Sequence, residues 1–331
     1  MKVFAYGIRD DEVPALKSWQ EENPTVEVDY TNEVLTADTV ALAKGANSVV
    51  TLQLDPYGAD VLEGLADLGI KNLSLRNVGT ETIDFEAAKR LGFNLSNVPV
   101  YSPNAIAEHA MIQLSRLLRR TKPMDAKVAK HDLRWAPTIG REVRMQTVGV
   151  IGTGNIGRKA INILKGFGAK VIAYDKFPNK ELQEEGLYVD TLDELFAQAD
   201  AISLHVPGVP ENVHLVNEES LAKMKDGVVI VNTSRGNLID TDAAIAALDS
   251  GKISDLALDV YEGEVGIFEH DWSHEKLPDE KLADLIARDN VLITPHVAFY
   301  TTKAIHEMVY QSMSAALAFA NGQTPDNALE Y

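Results

Sequence analysis

Three observations predict an α/β protein built from two parallel-sheet domains. Short β-branched runs alternate with helical patterns from the first residues, the rhythm stops at 98–103 and resumes near 146, and a glycine fingerprint directly follows the first strand of the second series.

In chain order, strand patterns at 2–6, 26–30, 48–52, 72–75 and 94–97 alternate with helical patterns at 13–22, 37–44, 57–68 and 85–91. This βαβ rhythm implies a parallel sheet with helices on both faces. Val98-Pro99-Val100-Tyr101-Ser102-Pro103 breaks it and predicts a hinge near residue 100. Residues 104–120 then read as one helix, with Asn104 or Ser102 placed to cap it. Strands at 146–151, 170–174, 201–204, 228–232, 256–260 and 291–294 make a Rossmann-type set. A last helix at 302–321 comes too late to continue that sheet and is expected to return to the first domain. The predicted boundaries are therefore 1–100 plus 300–331 for one domain, discontinuous in sequence, and 101–299 for the other. Residues 262–285 form the one long insertion-like stretch.

Composition limits the partners. The 331 residues carry a formal charge of −18 and no Lys/Arg block, which argues against nucleic acid or an anionic membrane, because phosphate binding needs concentrated positive charge. With no cysteine there are no disulfides, thiolate nucleophiles or thiolate metal sites. No apolar run approaches membrane-spanning length, and Met1 to Ile8 leads straight into Arg9-Asp10-Asp11-Glu12 with no secretion signal, so a cytoplasmic location is expected. Asn94-Leu95-Ser96 and Asn232-Thr233-Ser234 are then chance sequons.

Gly152-Thr153-Gly154-Asn155-Ile156-Gly157 follows the strand Thr147-Val148-Gly149-Val150-Ile151 and opens a helical stretch at 158–167. A bare GxGxxG is weak evidence, but in this context it reads as a dinucleotide site. Gly152 allows the tight turn, Gly154 lets a pyrophosphate approach the backbone, and Gly157 permits close packing of helix on strand. The helix N-terminus then faces the phosphates. Asp175 ends the next strand, where a carboxylate can accept both adenosine ribose hydroxyls and would repel a 2′-phosphate. NAD is expected over NADP, with Lys176 the one discordant residue.

Three polar residues sit where later strands end, the rim at which open α/β sheets bind ligands. Arg235 lies in Thr233-Ser234-Arg235-Gly236, Glu264 in Asp259-Val260-Tyr261-Glu262-Gly263-Glu264, and His296 in Thr294-Pro295-His296. Together they supply what reduction of a 2-keto acid requires. A guanidinium can hold the carboxylate and polarise the carbonyl. An imidazolium can donate a proton as hydride arrives, and a carboxylate beside it would favour the charged ring. Singly, each could be a surface ion pair or a loop residue; their joint placement carries the reading. His270 and His274 have the i, i+4 spacing of a metal pair, but their segment is polar and loop-like and no metal is expected. His205 reads as support for the cofactor loop, and Trp135 as interface or core.

At these residues the chain resembles the D-isomer-specific 2-hydroxyacid dehydrogenases, and within them the D-lactate dehydrogenase group of lactic acid bacteria. The resemblance covers nearly the whole length, through residues 4–12, 74–84, 97–110, 131–157, 205–207, 232–240, 259–266 and 295–302. It implies that Arg235, Glu264 and His296 occupy the catalytic positions, with Glu264 rather than Glu262 as the acid. It implies that Asp259 holds the nicotinamide carboxamide and that Asn155, Ile156, Val206, Pro207, Asn212, Thr233 and Ser234 are cofactor contacts. In Arg76-Asn77-Val78-Gly79, the N–H groups of Val78 and Gly79 correspond to those that hold the substrate carboxylate, while Tyr101 and Phe299 match pocket-wall positions. The resemblance further implies a flavodoxin-like catalytic domain, an active site in the interdomain cleft, hinges near 100 and 299, and a homodimer joined through the cofactor domain and the 104–120 helix. That helix carries Ala105, Ile106, Ala110, Met111 and Leu114 on overlapping faces, more apolar surface than a one-sided helix needs.

The preferred substrate side chain stays open. Lactate-preferring members carry Tyr at the position matching Leu52, and D-2-hydroxyisocaproate dehydrogenases an aliphatic residue. The surrounding Thr51-Leu52-Gln53-Leu54-Asp55-Pro56-Tyr57 also departs from the lactate pattern, so overall likeness points to lactate and this position to larger acids. Among rivals, NAD-sensing corepressors would need a partner-binding extension, and L-specific lactate dehydrogenases place the fingerprint elsewhere. Phosphoglycerate and formate dehydrogenases fit the detailed motifs less well.

Overall fold

The computed structural model describes residues 1–52, 56–80 and 82–331, so Gln53–Asp55 of the Leu52 segment and Glu81 lie outside the described residues. Two compact units emerge: Met1–Ser102 with Tyr300–Tyr331, and Pro103–Phe299.

In the first unit, strands β1 (Lys2–Ala5), β2 (Glu27–Tyr30), β3 (Ser48–Thr51), β4 (Asn72–Leu75) and β5 (Asn94–Ser96) form a parallel sheet in the order β2-β1-β3-β4-β5. This is the flavodoxin-like order. The central β3 is buried along its length, as expected for a strand covered on both faces. The helix Thr302–Ala320 packs on this sheet: Val309, Met313 and Ala316 share a core with Val3, Ala5 and Trp19. Two polar ties pin it, Ser48 Oγ to the Ala316 carbonyl at 2.8 Å and Trp19 Nε1 to Ser314 Oγ at 3.0 Å.

The expected helix at 37–44 shrinks to a 3-10 turn, Val40–Ala43. Thr39 Oγ1 donates to the Val34 carbonyl at 2.6 Å and accepts the Thr36 N–H at 2.9 Å, local bonds that compete with a helix. The next helix begins at Ala59 rather than Tyr57, because Tyr57 pairs with Ile83 in an isolated parallel bridge.

In the second unit, β6 (Thr147–Ile151), β7 (Lys170–Tyr174), β8 (Ala201–Leu204), β9 (Val228–Asn232), β10 (Ile253–Leu258) and β11 (Val291–Ile293) form a parallel sheet in the order β11-β10-β9-β8-β6-β7. One position was not predicted. Tyr188 pairs in parallel with Ala173 of β7, so the sheet gains a single-residue outer edge and runs 3-2-1-4-5-6-7, the 3-2-1-4-5-6 order of dinucleotide-binding sheets with one strand more. A bridge that short leaves no period in the sequence to detect.

The helix Pro103–Leu118 spends most of its apolar surface within the chain. Ala105, Ala110, Met111 and Leu114 are buried within this chain, the last three in one core with Ala160, Ile161, Leu164, Val229 and Val231, and Ile106 is half-buried. The apolar excess is therefore mostly internal, and Ile112 alone among its large apolar side chains stands exposed. The segment that follows is different: Val128, Leu133, Trp135, Ile139 and Met145 are all exposed. No described helix is long and apolar enough to cross a membrane.

Candidate active site

The turn after β6 shows why each glycine is there. Gly152 has φ +93°, and a Cβ on it would stand 2.4 Å from the His205 carbonyl oxygen. A Cβ on Gly157 would stand 2.0 Å from the Gly152 oxygen, closing the helix against the strand turn. Gly154 differs: its φ of −65° suits any residue, and a Cβ there would meet no described atom within 4 Å. Packing does not require that glycine, so close approach of a ligand is the reason left for it. Gly154 also N-caps the helix Asn155–Gly166 without a side-chain bond, leaving the amides of its first turn, at Asn155, Ile156 and Gly157, for an anion. These residues fit a dinucleotide pyrophosphate.

Asp175 follows β7, and its acceptors are partly spoken for. Oδ2 accepts from both the Thr153 amide at 2.5 Å and the Thr153 hydroxyl at 2.9 Å, while Oδ1 accepts the Phe177 N–H at 2.8 Å. With two lone pairs per oxygen, Oδ1 keeps room for one more donor. Oδ1 is therefore the oxygen with an acceptor position to spare for a ribose hydroxyl. The negative charge that disfavours a 2′-phosphate is held in place beforehand.

Across the switch point, β8 runs into His205, Val206 and Pro207. Ser234 Oγ donates to the Val206 carbonyl at 2.5 Å and Asn212 Nδ2 to that of Pro207 at 2.9 Å, so both side chains brace this loop internally. Thr233 Oγ1 is buried with no hydrogen-bond partner among the described residues, an orphaned group that a ligand could satisfy. His205 Nε2 lies 2.9 Å from Ser203 Oγ, and burial pushes its pKa down to about 4. The ring is neutral near pH 7, which suits support rather than proton donation.

Three strand ends carry the polar set. After β9, Asn232 Nδ2 donates to the Arg235 carbonyl at 2.8 Å, and Arg235 Nη1 donates to the Ser234 carbonyl at 2.9 Å. After β11, His296 adopts φ +55°, a left-handed conformation unusual for a side chain with a Cβ. Its Nδ1 stands 2.8 Å from Glu264 Oε1, and Glu264 Oε2 accepts the Tyr261 N–H at 2.8 Å. Burial lowers the affinity of the His296 ring for a proton, but the hydrogen bond and charge of Glu264 with the charge of Asp259 outweigh it, against opposition from Arg235. The net pKa is raised. Glu262 is otherwise engaged, accepting from His214 Nε2 at 2.6 Å and Thr241 Oγ1 at 3.1 Å. The Phe299 ring lies edge-on to His296 with centroids 6.5 Å apart.

Asp259 is only 1 % exposed, and its carboxylate accepts from Thr294 Oγ1 and from the amides of Val297 and Ala298. That geometry makes it first a support of the His296 loop; Oδ2, with one donor, retains capacity for a carboxamide. His270 Nδ1 bonds the Phe268 carbonyl at 3.0 Å, and no cluster of His, Asp or Glu among the described residues is arranged to hold a metal.

In the first unit, the remaining expected residues follow strand ends. Leu52 is half-buried just past β3, and Tyr101 is half-buried in the segment after β5. After β4, Asn97 Nδ2 holds the Val78 carbonyl at 2.6 Å and Asn77 Nδ2 that of Gly79 at 2.8 Å, while the Val78 and Gly79 amides have no intramolecular acceptor among the described residues. Sequence reasoning missed what steadies this turn. Arg76 is fully buried, with Nε 3.1 Å from Glu12 Oε1 and its terminal nitrogens on the Tyr6 and Gly7 carbonyls at 2.8 and 2.7 Å. The only signal was a Glu inside an otherwise solvated charge run, and it did not point to Arg76.

Residues 111–298 match the family profile described as D-isomer specific 2-hydroxyacid dehydrogenase, NAD binding domain. The chain is 68% identical to a D-lactate dehydrogenase of Leuconostoc mesenteroides subsp. cremoris over 331 residues, covering 100% of both chains. Among solved structures, it superposes on a D-2-hydroxyisocaproate dehydrogenase with TM-score 0.91 at 43% identity, covering 99% of each chain. It matches the NAD-complexed form of a D-isomer specific 2-hydroxyacid dehydrogenase from Lactobacillus delbrueckii ssp. bulgaricus with TM-score 0.86 at 37% identity, covering 100% of each.

Proposed function

Because this chain belongs to the D-isomer-specific 2-hydroxyacid dehydrogenase family, a family of NAD-dependent oxidoreductases, we propose that it interconverts pyruvate and D-lactate. The observation that carries the chemistry is the His296–Glu264 pair at 2.8 Å, on the same strand-end rim as Arg235. Bound NADH supplies the hydride. Arg235 holds the keto acid's carboxylate and polarises its carbonyl; within the first unit, the Val78 and Gly79 amides are the donors proposed for a carboxylate. As the carbonyl carbon gains hydride and its oxygen gains negative charge, His296 Nε2 delivers a proton to that oxygen. The hydroxy acid results and the ring is left neutral, stabilised in the charged form beforehand by Glu264. In the reverse direction the neutral ring removes the hydroxyl proton.

Residues 1–100 with 300–331 form the substrate domain in this reading, and 101–299 the NAD domain. Within the first unit, Leu52 and Tyr101 are the residues proposed to meet the substrate side chain, and the aliphatic Leu52 supports acceptance of larger 2-keto acids beside pyruvate. A cytoplasmic homodimer is the assembly proposed. Its support is the exposed apolar set Val128, Leu133, Trp135, Ile139 and Met145, together with a cavity of about 720 Å³ lined in part by Met111, Ile112 and Phe167. The test is NADH oxidation with pyruvate and chiral analysis of the product, beside light scattering for mass. L-lactate, or no turnover, overturns the functional reading; a monomeric mass overturns the assembly.

A further inference from the structure

Asp259 acts as a template for the loop that presents His296. Its carbonyl accepts the His296 N–H at 2.7 Å, its Oδ1 accepts the Val297 N–H at 3.0 Å, and its Oδ2 the Ala298 N–H at 2.9 Å. Three successive amides of the catalytic loop thus end on one residue. The left-handed backbone of His296 is disfavoured for a residue with a Cβ and persists only where its surroundings over-determine it. Whatever fixes the Asp259 carboxylate therefore fixes the direction of the imidazole.

A side-chain chain behind Asp259 does this, and its proton directions can be assigned. A carboxylate only accepts, so the Thr294 hydroxyl proton goes to Asp259 Oδ1 at 2.6 Å. The hydroxyl oxygen is left as an acceptor for everything else that touches it. His109 Nε2 lies 3.0 Å from it and Gln113 Nε2 3.3 Å. His109 therefore carries its proton on Nε2, which also stands 3.4 Å from Asp259 Oδ1. Arg116 Nη1 donates to Gln113 Oε1 at 3.3 Å and turns the amide nitrogen toward Thr294. The 3.2 Å approach of the Gln113 and His109 nitrogens is then a contact between two donors aimed at one oxygen. Burial holds the His109 pKa down against the charge of Asp259, which keeps this ring a neutral donor.

We infer that Thr294, backed by His109 and Gln113 of the helix Pro103–Leu118, is a positioning residue that locks Asp259 and through it aims His296 at the substrate. Neither Thr294 nor His109 need touch substrate or cofactor. The helix thereby contributes to the reaction through hydrogen bonds alone, and its tie to the catalytic loop spans 185 positions of sequence.

This rests on the dehydrogenase reading above, and the test separates the two. Thr294→Val keeps the volume and removes the hydroxyl, whereas Thr294→Ser keeps the hydroxyl and removes a methyl. A packing role predicts that Val is the milder change. A positioning role predicts the reverse order: Val should lower kcat for pyruvate roughly 10- to 100-fold, as misaimed catalytic groups do, with the NADH Kd and pyruvate KM within about three-fold, while Ser keeps most of kcat. Folded sites are counted by quenching of tryptophan fluorescence at saturating NADH. If Thr294→Val does not fold, His109→Gln, which keeps a terminal N–H donor, is compared with His109→Leu, which has none; Leu should lose more kcat. Val milder than Ser, or Leu milder than Gln, overturns the inference. Failure of the unaltered enzyme to reduce pyruvate overturns the functional reading instead.

Discussion

His296 Nδ1 and Glu264 Oε1 are 2.8 Å apart, and the second oxygen of that carboxylate is held by the Tyr261 amide. The acid cannot turn away from the ring without breaking a backbone bond. Nδ1 is committed to Glu264, and Nε2 is left as the end that would exchange a proton with substrate in the proposed reaction.

The pH dependence follows with a definite sign. Reduction uses the imidazolium, so it is supported at low pH and lost as pH rises through the raised His296 pKa; oxidation uses the neutral ring and gains over the same interval. Glu264→Gln removes the charge that does most to raise that pKa and leaves burial and Arg235, both of which lower it, opposed by the charge of Asp259 alone. The alkaline limb of kcat/KM for pyruvate should move to lower pH, and the rising limb for D-lactate oxidation should move with it. Profiles in both directions check this, and an unmoved pair would take Glu264 out of the titration.

Removing the proton donor tests its role directly. His296→Ala should lower turnover by roughly 10²–10⁴, the usual contribution of a general acid, while NADH binding measured by fluorescence holds. Turnover within a few-fold of the unaltered enzyme would eliminate His296 as the donor.

Cofactor choice should respond to Asp175. Two Thr153 donors and the Phe177 amide hold its charge in place before any nucleotide arrives. Asp175→Ala removes that repulsion and one ribose acceptor together, so the NADPH to NADH ratio of kcat/KM should rise, partly through a weaker NADH Kd. A constant ratio would place selection elsewhere.

Leu52 is the test of substrate range. One methylene in an apolar pocket is worth roughly 1–3 kcal/mol, or about 10- to 200-fold in relative kcat/KM. Leu52→Tyr should lower kcat/KM for 2-ketoisocaproate and phenylpyruvate while pyruvate holds or gains, because the ring takes the space that bulky side chains need. Equal losses for all three substrates would indicate a packing defect instead.

Much of the molecule was legible before any coordinate. Strand runs, the glycine fingerprint and the placement of Arg235, Glu264 and His296 after strands depend on period and nearest neighbours, which a linear chain displays directly. Tertiary structure decided what depends on partners remote in sequence. Glu262 and Glu264 differ in sequence only by position, and it is the capture of Glu262 by His214 and Thr241 that leaves Glu264 for His296. The buried Arg76–Glu12 pair and the Thr294–His109 contact leave no local pattern, because each joins side chains brought together only when sheets and helices have packed. The same reason governs the helix Pro103–Leu118: its apolar faces were visible in sequence, but only its packing against β9, β10 and the helix Asn155–Gly166 decides that most of that surface is spent inside the chain.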